Sequence, residues 1–458
     1  MKKMQTVVRY ALLLLLAVML LPSCKKEDWQ KRPAHATGLD GVWQSEGYGY
    51  VLDIKNGMAT AYDITSGYGV KKSFLFDFAT PDTRTWDVVL DGQRKSFIYR
   101  SKNLVTHFRF NRLPHLPKQL KDGGLPPSDD ALLNFDVLWQ TFDEHYAFFG
   151  QRQVDWQALR NTYRPQVPKL GLEATIKAML THLNEDHVTL STTSDDFLSR
   201  FDAGAFRTLR HFAADLPAGT SQQDLKLYAM GEYQKIFGNI AGGYLQDVQT
   251  ALDNQLMWGS LDAETGYLLV GQMAGYELPD LKAALDAIIP ELQQYKKLVL
   301  DLRANLGGSD RVTLELAGRF VNSAQTGWLF SARDGKKQTP VQNVVVHPTG
   351  SEQFVKPIRI LTSIATSSAA EVFTMMMKGQ PYVKSIGEPT NGIFSSLLTK
   401  ELPNGWRFSL SNEVLTDVQG RSYEVTGIAP DISQTALPAA ADRDNGMDPL
   451  LSQYKTWF

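Results

Sequence analysis

The chain has 458 residues, of which 43% are hydrophobic, and its 47 lysine and arginine residues nearly balance 49 aspartate and glutamate residues. This length suits roughly two to four domains with sizeable cores. The net charge is −2 and no long basic run occurs, so nucleic acid is not expected as a partner.

The N-terminus has the pattern of an export signal. Lys2, Lys3 and Arg9 precede an apolar run from Tyr10 to Leu21. This run is too short for a comfortable membrane span. A small residue then precedes Cys24, the single cysteine of the chain. We predict a bacterial lipoprotein signal peptide at 1–23, with lipid on Cys24 holding the protein to the membrane of the cell envelope, on a periplasmic or outer-membrane surface. The alternative is a plain secretory signal with an incidental cysteine.

The next two segments differ sharply in pattern. Residues 24–39 are polar and are interpreted as a tether. Residues 40–115 contain short alternating runs, such as Phe74 to Phe76 and Trp86 to Leu90, separated by turn signals such as Asn56-Gly57. Alternation with tight turns is typical of antiparallel strands. We therefore predict a small N-terminal all-β domain.

A glycine- and proline-rich linker leads into a mostly helical domain at 126–240. Its first stripe of apolar residues at helical spacing is Phe135, Leu138, Trp139, Phe142 and Tyr146, and a second is Ile176, Met179, Leu180 and Leu183. Such stripes indicate helix faces buried in a core. The segment from Leu198 to about Gly238 is interpreted as mixed and mostly helical.

An α/β core is predicted at 241–458. Buried strands at Gly266 to Val270, Leu298 to Leu302 and Ile358 to Thr362 alternate with amphipathic helices. This alternation predicts a sheet covered by helices.

Three segments carry residues that could perform chemistry. Leu298 to Gly308 takes a strand into a double glycine, a turn whose N–H groups can bind an anion. Ile360 to Glu371 ends a strand in small and hydroxyl residues, and Ser368 at the helix start would gain from the helix dipole. His187 links a helix end to a strand-like run. Taken singly, each has a structural interpretation as a turn, an N-cap or a surface histidine.

Together these segments resemble the carboxyl-terminal processing proteases and the tricorn-core serine peptidases, from about Ser128 to the C-terminus. Four ordered motifs carry the resemblance: Asp301-Leu302-Arg303-Ala304-Asn305-Leu306-Gly307-Gly308, Ser367-Ser368-Ala369-Ala370-Glu371, Gly387-Glu388-Pro389-Thr390-Asn391-Gly392 and Gly427-Ile428-Ala429-Pro430-Asp431. In the family, the serine three residues before the glutamate is the nucleophile, which implies Ser368. The resemblance implies a ClpP/crotonase-like α/β catalytic core behind the helical region.

Two catalytic arrangements occur in this family. In one, a lysine just after the Gly-x-Thr-x-Gly turn is the base, but this chain has Ile393 there, and Lys384 and Lys400 are displaced and expected at the surface. The other resembles tricorn and uses a histidine from the preceding region. It implies His187 as general base, with Glu424 orienting the imidazole directly or through another polar group.

The implied reaction is acyl transfer from a protein or peptide substrate, by an endopeptidase or a carboxyl-terminal processing peptidase. Backbone N–H groups of Gly307 or Gly308 and of Ala369 would stabilise the oxyanion, and water would then hydrolyse the acyl-enzyme. No metal or cofactor is required. Many family members carry a PDZ module, and no convincing carboxylate-binding loop occurs between His187 and Tyr244. A requirement for free C-termini therefore stays open.

Two non-catalytic interpretations are also open. Retinoid-binding modules resemble this family, so the same fold could serve a ligand- or peptide-binding lipoprotein. A surface nutrient-binding lipoprotein would instead present an aromatic-lined groove. Close approach of Ser368 and His187 would favour the enzyme, and wide separation around a closed apolar pocket would favour binding. The oligomeric state and the role of the β domain are not indicated.

Overall fold

The computed structural model describes residues 38–73, 80–101, 104–193 and 197–458. The predicted signal peptide, nearly all of the tether and the run from Phe74 to Phe76 lie outside these residues. Among the described residues, no helix combines the length and the apolar character needed to cross a bilayer.

The strands are β1 Gly41–Ser45, β2 Tyr50–Lys55, β3 Met58–Ile64, β4 Gly69–Lys71, β5 Asp87–Leu90, β6 Ser96–Arg100, β7 His107–Leu113, β8 Thr189–Ser191, β9 Phe201–Asp202, β10 Gln246–Ala251, β11 Leu256–Ser260, β12 Thr265–Val270, β13 Lys297–Asp301, β14 Gln325–Asp334, β15 Lys337–Gln338, β16 Gln342–Val346, β17 Ile358–Thr362, β18 Val383–Gly387, β19 Leu397–Glu401, β20 Arg407–Ser411, β21 Glu413–Thr416 and β22 Ile432–Ser433.

The α-helices are α1 Ala131–His145, α2 Trp156–Tyr163, α3 Val167–Leu170, α4 Leu172–Thr181, α5 Ala205–Thr208, α6 Arg210–Ala213, α7 Gln222–Gly243, α8 Leu278–Leu292, α9 Asp310–Gly318, α10 Ala369–Lys378 and α11 Ala440–Asp444. Short 3₁₀ helices lie at Thr83–Thr85, Lys118–Gly123, Arg164–Gln166 and Leu451–Thr456.

The N-terminal strands form one antiparallel sheet of seven strands in the order β4-β3-β2-β1-β7-β6-β5. The turn between β2 and β3 consists of Asn56 and Gly57, whose φ angles are 52° and 73°. Two successive positive φ values are the requirement of the type I′ hairpin turn, which explains why the Asn-Gly signal was informative. The predicted antiparallel character of this region is confirmed.

This sheet and the following helices share one hydrophobic core rather than two. The core runs from Trp43 and Phe110 of the sheet to Phe142 of α1, Met179 of α4 and Phe408 of β20. The β19–β20 hairpin, which belongs to the C-terminal half of the chain, therefore completes the N-terminal core. The hairpin also pairs with β8, the strand that follows His187.

The C-terminal half is built on a second seven-stranded sheet, in the order β10-β11-β12-β13-β17-β18-β22. The last five strands in this order, from β12 to β22, are parallel to one another. Apolar side chains of α8, α9 and α10 cover one face, and α7 with the C-terminal segment covers the other. A parallel sheet buried on both faces explains the near-continuous apolar runs of its strands. The predicted α/β core with covering helices is confirmed.

Candidate active site

Three loops meet at the carboxyl ends of the parallel strands. The double glycine at 307–308 follows β13, Ser368 follows β17, and the turn from Gly387 to Gly392 follows β18. Carboxyl ends of neighbouring parallel strands lie at the same edge of a sheet, which is the usual place for a site in open α/β folds. The topology thus gathers three of the four sequence motifs.

Ser368 lies in a strained backbone conformation. Its φ is 55° and its ψ is −122°, a combination that residues with a side chain rarely adopt. It is the N-cap of α10 and is partly exposed, whereas its neighbours on both sides are buried. A sharp strand-to-helix turn of this kind pushes the serine side chain outward, as in a nucleophile elbow.

The buried carboxylate of Glu371 holds this turn in place. It accepts hydrogen bonds from the Ser368 N–H at 3.1 Å, the Thr390 hydroxyl at 2.6 Å, the Gly392 N–H at 2.6 Å and the Ile393 N–H at 2.9 Å. Burial raises the pKa of Glu371 to about 7 against the lowering effect of these donors. The carboxylate therefore fixes the nucleophile loop to the loop that follows β18.

Gly307 lies directly against the nucleophile loop. A Cβ atom at this position would stand 2.7 Å from the Ser367 carbonyl oxygen, 2.8 Å from Ser368 Cβ and 2.9 Å from the Ala369 nitrogen. Its φ is 96°, which also favours glycine. Only glycine lets the backbone of this loop approach the serine so closely.

The structure corrects one of the predicted oxyanion donors. The Gly307 N–H already donates to Asn305 Oδ1 at 2.8 Å, so it is not free to bind a substrate oxygen. Among the hydrogen bonds of the described residues, the N–H groups of Gly308 and Ala369 have no acceptor. Gly308 also lines the cavity in front of Ser368. Gly308 and Ala369 are therefore the pair that can serve an oxyanion.

His187 lines the same cavity as Ser368. The side chain is 7% exposed, and its Nδ1 has no hydrogen-bond partner in the part of the chain that the structure describes. Burial lowers the pKa of His187 to about 4, with a smaller opposing effect of the Glu185 carboxylate. Within the described residues no hydrogen bond joins His187 to Ser368, which is common for catalytic pairs without substrate.

The structure does not place Glu424 directly on His187. Glu424 Oε2 accepts a hydrogen bond from the Phe394 N–H at 2.8 Å, and Oε1 faces Arg152 Nη2 at 3.8 Å. Arg152 Nε in turn lies 3.0 Å from Glu185 Oε2. The direct form of the prediction is therefore wrong. Arg152 joins Glu424 to Glu185, whose carboxylate acts on His187 through its charge. Burial raises the pKa of Glu424 well above its usual value.

Asn391 connects the serine loop to the histidine loop. Its amide nitrogen donates to Ser367 Oγ at 2.9 Å, Thr208 Oγ1 at 2.7 Å and Asp186 Oδ2 at 3.2 Å. Ser367 and Asp186 directly precede the predicted nucleophile and base. Asn391 therefore helps to set the spacing of the two residues that would react.

Sequence reasoning missed the roles of Arg152, Glu185 and Asn391. Glu185 lies two residues before His187, and Asn391 lies within the Gly387 to Gly392 motif, so both are adjacent to residues that the sequence marks. Arg152 gave no signal, because its partners are far away in the chain. Of the displaced lysines, Lys384 is exposed as expected, but Lys400 is buried and paired with Asp63 at 2.8 Å. Lys400 belongs to the N-terminal core.

Two family profiles match the chain. Residues 264–434 match peptidase family S41, and residues 127–183 match the tricorn protease C1 domain. The first range contains Ser368, Glu424 and the double glycine, and the second ends four residues before His187. The family resemblance seen in the sequence is confirmed.

Curated relatives match over part of their length. The chain is 24% identical over 196 residues to the carboxy-terminal processing protease CtpA of Bacillus subtilis, covering 43% of this chain and 39% of that protein. It is 25% identical over 168 residues to the "Probable CtpA-like serine protease" of Staphylococcus epidermidis, covering 37% of this chain and 33% of that protein. The chain thus spans well under half of the length of these relatives.

Solved structures share the fold. A protein from Parabacteroides merdae described as a candidate peptidase superposes with a TM-score of 0.57 at 24% identity, covering 72% of this chain and 96% of that one. Mature CPAF complexed with lactacystin gives a TM-score of 0.52 at 12% identity, covering 71% and 97%.

Proposed function

We propose, from the peptidase family S41 domain at residues 264–434, that this chain hydrolyses peptide bonds as a serine peptidase. The observation that carries the proposal is the setting of Ser368. It stands at a positive φ at the start of a helix, with two unpaired N–H groups beside it and a buried histidine lining the same cavity.

The geometry supports an acyl-enzyme mechanism. His187 accepts the Ser368 hydroxyl proton as the oxygen attacks the substrate carbonyl carbon. The N–H groups of Gly308 and Ala369 bind the oxygen that becomes negative, and each such donor lowers the barrier by roughly 3 kcal/mol. The imidazolium then protonates the leaving amine, and water releases the acyl group with His187 again as base.

The state of His187 suits the role of a base. Because burial lowers its pKa to about 4, the imidazole is neutral at pH 7 and can accept a proton. When the imidazole accepts the serine proton it becomes positively charged. The nearby Glu185 carboxylate and the oxyanion that forms at the same time stabilise this charge. Glu185 acts on the histidine through its charge, and Arg152 holds the carboxylates of Glu185 and Glu424 together.

Proteolysis of an unfolded substrate tests the proposal. Purified protein is incubated with β-casein in water enriched in ¹⁸O, and products are identified by mass spectrometry. We expect new peptide termini that carry ¹⁸O with the wild type and none with Ser368→Ala. Ser452→Ala, a substitution at a serine of the C-terminal segment, is the matched control and should cleave like the wild type. Equal cleavage by Ser368→Ala would reject the proposal.

We further propose that the enzyme processes substrates near their carboxyl termini, as the name of the Bacillus subtilis relative says of that protein. Paired peptides that differ only in a free or amidated C-terminus test this point. Faster cleavage of the free-acid form would support recognition of the terminus, whereas equal rates would indicate an endopeptidase without that requirement.

Export and anchoring by lipid are also proposed, on the sequence of the first 24 residues. Intact mass measurement of protein from a bacterial membrane fraction should show a chain that begins at Cys24 with added diacylglycerol and acyl groups. The Cys24→Ala variant should no longer be found in the membrane fraction. An unmodified Cys24, or a variant that stays with the membrane, would contradict the anchor.

A further inference from the structure

The cavity in front of Ser368 is large and extends well beyond the reacting groups. Its volume is about 1010 Å³, at the upper end of the range of roughly 300–1,000 Å³ typical of sites that enclose a small organic ligand. Attack on one carbonyl group needs only a small part of this space. The remainder is large enough to accommodate other atoms of a substrate.

The extended part lies between α7 and the face of the sheet. We call it the α7 slot and define it by side chains that line it from α7 and from β11 and β12: Ala229, Met230, Tyr233, Phe237, Ala241, Met257 and Leu269. The α7 members recur at three- and four-residue intervals, so they form one helix face. This face and the strands enclose a predominantly apolar space that is continuous with the site of Ser368.

Lys226 and Arg200 at the slot both pair with the Asp202 carboxylate. Lys226 Nζ lies 2.6 Å from Asp202 Oδ2 and donates to the Phe197 carbonyl oxygen at 2.7 Å. Arg200 Nε lies 2.7 Å from Asp202 Oδ1. A charged substrate group placed against the apolar side chains of the slot would lose its own hydration. An apolar group avoids this cost and gains from burial.

From this geometry we propose that the α7 slot is a specificity site for a bulky apolar side chain of the peptide, such as Phe, Leu or Met, close to the bond that is cleaved. The inference rests on the proposed peptidase function and adds the class of residue that the enzyme selects. The occupant is a substrate side chain because the slot opens onto Ser368 and Gly308, where the peptide backbone must lie.

Gly238 offers a way to fill the slot without disturbing the fold. It lines the cavity on α7, and a Cβ atom there would meet no atom within 4 Å. Replacing a helical glycine also stabilises a helix. Gly242 is the matched control, because it lies on the same helix with equally open space but does not line the cavity.

The test compares wild type, Gly238→Leu and Gly242→Leu on a library of peptides made from a digested proteome. We expect the wild type and Gly242→Leu to cleave where a bulky apolar residue occupies one fixed position near the bond. Gly238→Leu should lower this preference about tenfold or more, which is the scale of selection by an apolar pocket, and shift cleavage toward small residues.

The rate at which a fluorophosphonate probe labels Ser368 is measured on the same three proteins. A preference that changes in Gly238→Leu but not in Gly242→Leu supports the slot, with Gly242→Leu labelling at the wild-type rate. Two outcomes would reject the specificity site and leave the peptidase function standing, provided that the wild type labels. One is the absence of an apolar preference in the wild type, and the other is a preference that Gly238→Leu leaves unchanged. Failure of all three proteins to label overturns the peptidase function and the slot with it.

Discussion

At the scale of single residues, the site depends on how closely Gly307 approaches the serine. We predict that Gly307→Ala lowers the rate of fluorophosphonate labelling about a hundredfold, because a Cβ atom 2.8 Å from Ser368 Cβ would displace the nucleophile, and small displacements cost rates of that order. The matched control is Gly335→Ala. That glycine also has a positive φ, of 60°, but a Cβ atom would meet nothing within 4 Å. Equal labelling rates in the two variants would contradict the close approach.

A second prediction for a single residue concerns pH. Only neutral His187 can accept the serine proton, and burial lowers the pKa of its imidazole from 6.5 to about 4. The labelling rate should therefore stay constant as pH falls from 7 to about 5 and reach half its maximum near pH 4. His182→Gln, at an exposed histidine, should leave this midpoint in place. A midpoint near 6.5 would show that a solvated histidine controls the reaction.

At the scale of elements, the loops after β17 and β18 behave as one unit because Glu371 joins them. Glu371→Gln replaces one acceptor oxygen with an NH₂ group that faces backbone donors, so at least one buried N–H loses its partner. We predict a fall of about 2 kcal/mol in the free energy of unfolding, measured by urea titration, and a loss of most labelling. Glu264→Gln, at a partly exposed side chain paired with Lys296, should change neither. If the Glu371→Gln variant labels at the wild-type rate, the position of Ser368 does not depend on the link between the two loops.

The elements also show what sequence can and cannot give. Strands β12, β13 and β17 were predictable because each is a short continuous apolar run. Helices α1, α4 and α8 were predictable because their apolar residues recur at helical spacing. The β19–β20 hairpin was not predicted. Its pairing partner β8 lies more than 200 residues earlier in the chain, and local patterns contain no information about such distant pairings.

Local sequence patterns likewise identify only part of the candidate site. Ser368 and the double glycine were found because short motifs mark them. The sequence could not decide between the N–H groups of Gly307 and Gly308, since the hydrogen bond that the Gly307 N–H donates to Asn305 Oδ1 depends on the conformation of the turn. The Arg152 contact with Glu185 and Glu424 joins residues from separate regions of the chain, so only the folded structure reveals it.

At the scale of the whole molecule, a buried ion cluster ties the C-terminal segment to the catalytic sheet. Arg303 lies 2.7 Å from Asp301 and 2.9 Å from Asp448, and all three side chains are at most 1% exposed. Asp301 ends β13, and Arg303 belongs to the loop that carries Gly307. The Asp301-Leu302-Arg303 motif therefore anchors the loop that carries Gly307 to the C-terminal segment.

Removing one carboxylate from this cluster should destabilise the whole protein. We predict that Asp448→Asn lowers the free energy of unfolding by about 3 kcal/mol, since it leaves a buried guanidinium with less compensation. Asp444→Asn removes a largely exposed carboxylate four residues away and should have little effect. Urea titration of both variants checks the prediction, and equal midpoints would show that the cluster is not coupled to folding.

The proposed reaction requires Ser368 to be an activated nucleophile and His187 to be its base. The most direct measurement is labelling of the protein by a fluorophosphonate probe, with the modified residue located by mass spectrometry, in the wild type, Ser368→Ala and His187→Ala. We predict one modified residue, Ser368, and loss of labelling in both variants while their unfolding midpoints stay close to that of the wild type. Labelling that survives His187→Ala would place the base elsewhere, and a wild type that does not react would favour a ligand-binding protein on this fold.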